Sequence, residues 1–501
     1  MNAGWGGGYV TDVGYVDAFH AIEAQSFMAL AALLNNCRAR LARRDEAFHL
    51  CDIGCGQGIT ALVAAAANPG WQVTGLDFNP GHIAGARALA RAAGIGNVAF
   101  LEADLRDFDG SGLAPFDAVS MHGVWSWVDA TVQDGILRLL NEKLVAGGLL
   151  HVSYNLLTGW QGALGLQRLV REAGLRLASR SDKQAAAGFG VAKALGETGG
   201  RVSFLPRGGI DVLGMTGRAN AAYLAHEMMN AQWKPLLHID VAARLAEAKL
   251  EFAGSARLIN NFPQLMLAQG QREILAKFDD PGMAELFKDI CQPNLLRNDV
   301  FVRGAQKIEP GLRDALLGEI TLAVMGGPAE WKFEFEAGDG KAQMAEGYYR
   351  PIFERLTQGP ASVAELLALP GLQGRRDNPS ELIGVAVGTE QVMVQPNPGV
   401  AMDERCMRLN LVLLQRQLEA GMRNAPVTMA VPALGSGMSL PFFEGAVIHE
   451  LAAQPESQEP EALVARMGVA QGPEDRAKLA VRIAEFFRDD APLLRHLGLM
   501  D

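Results

Sequence analysis

The first third of this chain predicts an α/β fold built on a mostly parallel sheet. Three observations carry that prediction. Short apolar strands alternate with helical stretches from about residue 46 to 157. A glycine-rich turn, Gly54-Cys55-Gly56-Gln57-Gly58, separates the first strand of the series from its first helix. The next two strands each end in an acid, Asp77 and Asp104. Strands and helices in alternation form parallel sheets, which hold their ligands outside the carboxyl ends of the strands.

Taken in order, His49-Leu50-Cys51-Asp52-Ile53 is the first strand, and Asp52 stands just before the first glycine. Glycines at alternate positions permit a tight turn and let a ligand lie against bare backbone. Ile59 to Ala67 is an alanine-rich helix whose first amides face that turn. A nucleotide-type cofactor fits such a place, and so does a plain strand-to-helix turn; the glycines alone do not decide. Trp71 to Leu76 is a second strand, and Asp77 after it stands where a carboxylate accepts both hydroxyls of a ribose. A helix from Pro80 to Ala93, a third strand from Val98 to Leu105 and a fourth from Phe116 to Gly123 follow. The stretch His122-Gly123-Val124-Trp125-Ser126-Trp127-Val128 leaves the fourth strand at its ligand-bearing end. On a strand-like segment Trp125 and Trp127 share a face, with core packing as the alternative use. Val132 to Leu144 is a helix, and the fifth strand, Leu149 to Asn155, ends in Tyr154 and Asn155.

This succession resembles the class I S-adenosylmethionine-dependent methyltransferases, whose sheet is Rossmann-like. The resemblance implies that the turn (Gly54 and Gly56, with Asp52, Cys55 and Gly58 in the same stretch) holds the methionine part. It likewise implies that Asp77, with Phe78 beside it, holds the ribose, and that Asp104, with Leu105, holds the adenine amine. NAD is the second candidate for the turn. A narrower similarity adds Trp5 to Tyr15, Ser153 to Trp160, Tyr223-Leu224-Ala225-His226-Glu227 and Asp299 to Gly304. Together these resemble bacterial methyltransferases carrying a methyltransferase regulatory domain, a group that includes rickettsial protein-lysine methyltransferases acting on outer-membrane proteins. The similarity runs from about Trp5 to Gly304 and departs at Ala18 to Ser26. There Phe19-His20-Ala21-Ile22-Glu23 stands where the family has a Tyr-Arg-Glu and a proline.

The expected chemistry is in-line displacement at a sulfonium methyl, with S-adenosylmethionine as donor and S-adenosylhomocysteine as product. No metal is expected, because no His, Cys or Asp grouping has ligand spacing along the chain. Candidate catalytic residues are His122, Trp125, Tyr154, Asn155 and His226, with His122 and Tyr15 also beside the cofactor. Each has a structural alternative: packing for Trp125, turn formation for Asn155, a hydrogen-bonded strand end for His122, a solvated helix face for His226. The acceptor is a protein lysine or a small molecule; a cofactor-sensing binding protein would keep the same motifs. A homodimer is suggested only by the resemblance.

At 501 residues the chain is too long for one ordinary domain, and four segments are expected: 1–45, a segment folding over the cofactor cleft and a helix; 46–160, the cofactor domain; 161–304, an all-helical middle domain roofing the acceptor side; and 305–501, a mixed α/β part. In the last, Tyr349 to Leu356 and Ser362 to Leu367 suggest a winged-helix-like module. Phe27 to Leu41 is expected to be an amphipathic helix. The net charge of −11 argues against a broad grip on nucleic acid or an anionic membrane. Five scattered cysteines, no apolar run of spanning length and no basic residue before Arg38 suggest a reduced cytoplasmic compartment.

Overall fold

The computed structural model describes residues 6–14, 18–199, 202, 221–292, 294–338, 340–372, 378–454, 458–467 and 472–500. Seven strands make its central sheet: β1 (Phe48–Ile53), β2 (Trp71–Asp77), β3 (Val98–Glu102), β4 (Phe116–Met121), β5 (Leu144–Asn155), β6 (Leu250–Ser255) and β7 (Leu296–Arg303). Their spatial order is β3-β2-β1-β4-β5-β7-β6. The first five pair in parallel, and β7 runs antiparallel to both β5 and β6. β1 and β2 are buried almost throughout, as near-continuous apolar strands are when both faces are covered.

Local chemistry sets the helix boundaries. Helix α1 spans Gln25–Leu34, α2 Ile59–Ala67, α3 Pro80–Ala93 and α4 Ala130–Lys143. Asn79 caps α3 by accepting from the Gly81 amide, Pro80 occupies its first turn, and Gly94 closes it with φ +64°. Asp129 caps α4 by accepting from the Val132 amide. The expected amphipathic helix over Phe27 to Leu41 is corrected by α1, which stops at Leu34 and is buried on every side from Met28 to Leu33. Its run of Met, Ala and Leu is apolar all round, which marks a helix packed inside the molecule.

The middle segment also differs from expectation. Residues 161–304 supply helices at Leu164–Leu177, Ser181–Glu197, Ala221–Met228 and His238–Ala246, but also β6 and β7, which complete the central sheet. β7 escaped the apolar pattern because Arg297, Asn298 and Asp299 lie in it, and Asn298 and Asp299 are buried. Their partners come from distant segments.

Beyond Gly304, a three-stranded sheet has Thr321–Val324 at its centre, between Ala361–Ser362 and Val392–Val394. With helices Glu346–Leu356, Val363–Leu367 and Pro379–Ala386 it is winged-helix-like. The helix Pro379–Ala386 is buried nearly throughout, and a Cβ at its Gly384 would lie 2.1 Å from the Phe262 ring. It is a packing element against the segment that carries Phe262, not a free face for a nucleic-acid groove. Arg405 binds the Ala65 carbonyl at 3.1 Å and Asn97 Oδ1 at 2.5 Å, and Asn68 Nδ2 donates to the Gly435 carbonyl at 2.7 Å, so this region is clamped onto α2 and its flanks.

Candidate active site

The turn after β1 is tied to β2: the Gly54 and Cys55 amides donate to the Leu76 carbonyl at 2.7 and 3.1 Å. Gly54, Gly56 and Gly58 have φ of +74°, +53° and +75°. A Cβ at Gly54 would meet Val124 Cγ2 at 2.3 Å and one at Gly58 the Phe100 ring at 2.5 Å, while at Gly56 nothing lies within 4 Å. The turn therefore leaves an open cradle above Gly56. Asp77 spans it, accepting from the Gly56 amide at 2.9 Å and the Asn79 amide at 2.8 Å.

Two adjoining pockets open over this end of the sheet. The first is lined by Asp77 and Phe78, Asp104 to Arg106, Val124, Trp127 and Val128. It has an apolar body with carboxylates along one wall, which suits an adenosine. Arg106 Nε and Nη2 bind the Asp104 carboxylate at 2.9 and 2.5 Å, and this pairing holds the acid below the usual carboxyl range. The second pocket is lined by His20, Glu23, Asp52, Cys55, Gly56 and His122, among others, and among the described residues no Lys or Arg lines it. Burial and the neighbouring Asp77 charge push the Asp52 carboxyl up to about 7. Such a pocket suits a cationic guest. Tyr9 lines both pockets, its ring edge-on to Phe78 at 5.7 Å, so the N-terminal segment covers the cleft. That segment is held by the Val10 amide on Asn230 Oδ1 (2.8 Å) and by His226 Nε2 at the Val13 carbonyl (3.0 Å).

A third, larger chamber of about 1050 Å³ adjoins the second pocket, and His20 and His122 line both. Its walls come from the segment before α1, from Ala256 to Asn260, from Gln292, 294–296 and Asn298, and from the C-terminal strands around Val392 and Ser436. His20 and His122 stack with ring centroids 4.1 Å apart. Their donor atoms and a Glu23 oxygen lie within 4.8 Å of one another, close enough to face one guest together. The residues contributing to the chamber from beyond Gly304 show no motif, and His20 and Glu23 lie in the stretch where the chain departs from the resembling family.

Of the cofactor candidates, Asp52, Gly54, Cys55, Gly56, Asp77, Phe78, Asp104, Leu105 and His122 line the two pockets. Gly58 lies behind them and packs on Phe100; Tyr15 lies outside the described residues. Of the catalytic candidates, His122 lines the second pocket and the chamber, and Trp125, Tyr154, Asn155 and His226 line none of these three cavities. Trp125 is buried in the core below β4, because the chain leaves β4 in a turn (Trp127 amide to Val124 carbonyl, 2.9 Å) and strand alternation ends there. Trp127 is the indole that reaches the cleft. Tyr154 is buried against Asp299 and His238, Asn155 packs beside Ser126, and His226 supports the N-terminal segment.

The sheet order with its single reversed strand, the glycine turn and the two strand-end acids define a class I S-adenosylmethionine-dependent methyltransferase. Residues 51–150 match a methyltransferase domain model, and residues 220–303 a predicted methyltransferase regulatory domain. An uncharacterised protein of Synechocystis, sll1526, is 31% identical over 368 residues, 72% of this chain and 71% of that one. A Rickettsia prowazekii protein, RP028, is 37% identical over 127 residues, 25% of this chain and 49% of that one. The solved structure of PKMT2 from Rickettsia typhi in complex with AdoHcy superposes with a TM-score of 0.72 at 16% identity, over 97% of this chain and 100% of that one. The chain belongs to the methyltransferases that carry a methyltransferase regulatory domain. S-Adenosylmethionine is its methyl donor, and the open cradle at Gly56 and the acid-lined second pocket fit it. Among the described residues no helix is long and apolar enough to cross a membrane.

Proposed function

We propose that this methyltransferase acts on the lysine side chains of a protein. The observation that carries the reading is the chamber: at about 1050 Å³ it is large enough for a segment of polypeptide, and it meets the methionine-side pocket at a wall of two histidines. The likeness in fold to PKMT2 supports the same reading. Asp77, Phe78, Asp104 and Leu105 would hold the adenosine, and Asp52 with the turn amides the methionine part. The donor supplies an electrophilic methyl; the protein supplies alignment, which is worth roughly 7–11 kcal/mol when acceptor and methyl are held in line. A lysine with an ordinary pKa near 10.4 costs about 4–5 kcal/mol to present as a free amine at pH 7. The half-buried entrance between His20 and His122 lowers that cost by desolvating the ammonium. A small-molecule acceptor is the second reading, favoured only by the apolar lining of the same chamber, such as Phe19, Phe27 and Leu30.

Incubation with a radiolabelled methyl donor and cell lysate tests this. Label in protein, recovered as N-methyl-lysine after hydrolysis, is the expected result. Label confined to small molecules would replace the lysine reading with the second one, and no label at all would point to a cofactor sensor.

A further inference from the structure

A hydrogen-bonded chain links the methionine-side pocket to the acceptor chamber along one face of the sheet. Glu23 lines the pocket and Asn298 the chamber. Between them, Ser120 Oγ lies 2.5 Å from a Glu23 carboxyl oxygen and 3.2 Å from His151 Nδ1, and His151 Nε2 lies 3.3 Å from Asn298 Oδ1. The chain works in either sense. With Glu23 ionised, Ser120 donates to it and accepts the Nδ1–H of His151, and the Asn298 amide turns over to donate. With Glu23 protonated, the carboxyl donates to Ser120, Ser120 to His151 Nδ1, and Nε2–H to Asn298 Oδ1. Burial, with the Asp52 charge beside it, pushes Glu23 well above the usual carboxyl range, which favours the second sense when no cation is present. Burial pulls His151 down to about 4, so it stays neutral in either sense.

The other ionisable groups around Glu23 come from several elements. His20 and His122 face it from the chamber side, with Arg257 beyond His122. Asp52 faces it from β1; Asp77 at the end of β2 and His82 on α3 lie across the same pocket. The balance is acidic, and His20 and His122 are held neutral by burial. The transferred methyl must be reachable from the chamber, so the reacting end of the donor belongs at the wall formed by His20 and His122, beside Glu23.

We propose that Glu23 is the proton acceptor of the methyl-transfer centre and is armed by the methyl donor: it is neutral in the empty site, ionises when a positive sulfonium lies beside it, and then takes the proton of an incoming ammonium. The last part rests on the amine-acceptor reading above; the first two do not. When the donor binds, Glu23 releases its proton to solvent. The acceptor R–NH3+ passes one proton to the Glu23 carboxylate and becomes R–NH2. The amine lone pair forms the C–N bond, the C–S bond breaks, and sulfur keeps that electron pair. The positive charge ends on the methylated amine, and Glu23 is left protonated beside a neutral thioether. The base thus exists only while a methyl group is available to transfer.

The test counts protons. S-Adenosylmethionine and S-adenosylhomocysteine share an ammonium and a carboxylate and differ by the methyl and its positive charge. Calorimetric titration of the full chain in buffers of different ionisation enthalpy gives the protons released by each. With Asp52 at the shared ammonium, as the proposed placement of the methionine part has it, its contribution largely cancels in the difference. S-Adenosylmethionine is expected to release up to about one proton more than S-adenosylhomocysteine near neutral pH. In Glu23→Gln that difference should vanish and the preference for the charged ligand fall about tenfold or more, with S-adenosylhomocysteine affinity unchanged. Equal proton release for the two ligands in the unmodified protein overturns the proposal without any variant, and so does a difference that survives in Glu23→Gln. No acceptor enters this measurement, so failure of the lysine reading shows separately, in the labelling experiment.

Discussion

Two buried clusters of ionisable side chains hang from the same pair of strands, β5 and β7, on opposite faces of the sheet. His151 and Asn298 point to one face; Tyr154, Arg297 and Asp299 point to the other, as alternation along a strand requires. On the second face, Asp299 Oδ2 accepts from Tyr154 at 2.5 Å, His238 Nδ1 lies 2.9 Å from it, and Arg297 binds Asp299, Asp289 and Glu285 at 2.9, 2.5 and 2.7 Å. That cluster is paired and lines none of the three cavities. On the first face, Glu23, Ser120 and His151 lead to His20 and His122, which border two cavities, and His122 Nδ1 has no hydrogen-bond partner among the described residues. Both clusters are buried and both hold shifted acids. Burial and shifted ionisation do not by themselves distinguish a structural knot from a reactive site; access and an open valence do.

The largest expected effect breaks the closed cluster. Burial alone would raise the Asp299 carboxyl, but Arg297, His238 and Tyr154 hold it well below the usual range. An acid lowered in this way contributes stability that is present above its unfolded pKa and is lost as pH falls through its folded one. Asp299→Ala leaves Arg297 buried without its main partner and should cost about 3–5 kcal/mol in urea unfolding. S-Adenosylhomocysteine affinity of the folded fraction should be unchanged; a large loss of affinity would place this cluster in the site after all.

Asp77 belongs to the open side, yet both its oxygens already accept backbone amides, from Gly56 and Asn79. Asp77→Ala should lose about 3 kcal/mol of donor affinity, roughly a hundredfold, by calorimetry. It should also lower the melting point of the ligand-free protein, because the turn is untied. Asp77→Asn keeps one acceptor and should lose less of both. Wild-type affinity with a lowered melting point would make Asp77 a turn residue only.

The smallest effect sharpens the contrast in pH dependence. Asp52 is raised to about 7 by burial and Asp77, so between about pH 4 and 7 the folded protein binds more protons than the unfolded chain. Stability from this group therefore falls as pH rises through that window, the reverse of Asp299. Asp52→Asn should stabilise the ligand-free protein by about 1–2 kcal/mol at alkaline pH, have little effect at low pH, and weaken donor binding. Thermal melts at the two pH values check it; equal shifts at both would show that Asp52 carries no such strain.

Much of the cofactor side was readable in the amino-acid sequence. The first five strands, the glycine turn, and Asp77 and Asp104 at strand ends follow from short-range patterns: alternation, turn chemistry, caps such as Asn79 and Asp129. The same local logic failed where the pattern depended on distant partners. Trp125 and Trp127 look equivalent along the chain, but a turn sends one to the core and the other to the cleft. α1 looked amphipathic and is buried all round, because residues beyond Gly304 cover the face that would otherwise meet solvent.

What the sequence alone determined is the half of the site whose residues are neighbours in the chain or recur at strand ends, since backbone hydrogen bonding and side-chain period fix those placements within each unit. The tertiary structure decided the rest. It joined β6 and β7 to the sheet through buried charges that only Arg297 and its partners make tolerable. It brought Glu23 to Ser120 and His20 to His122, and built the large chamber from segments hundreds of residues apart. Those contacts are specified by packing between elements, and no short-range pattern encodes which surfaces will meet.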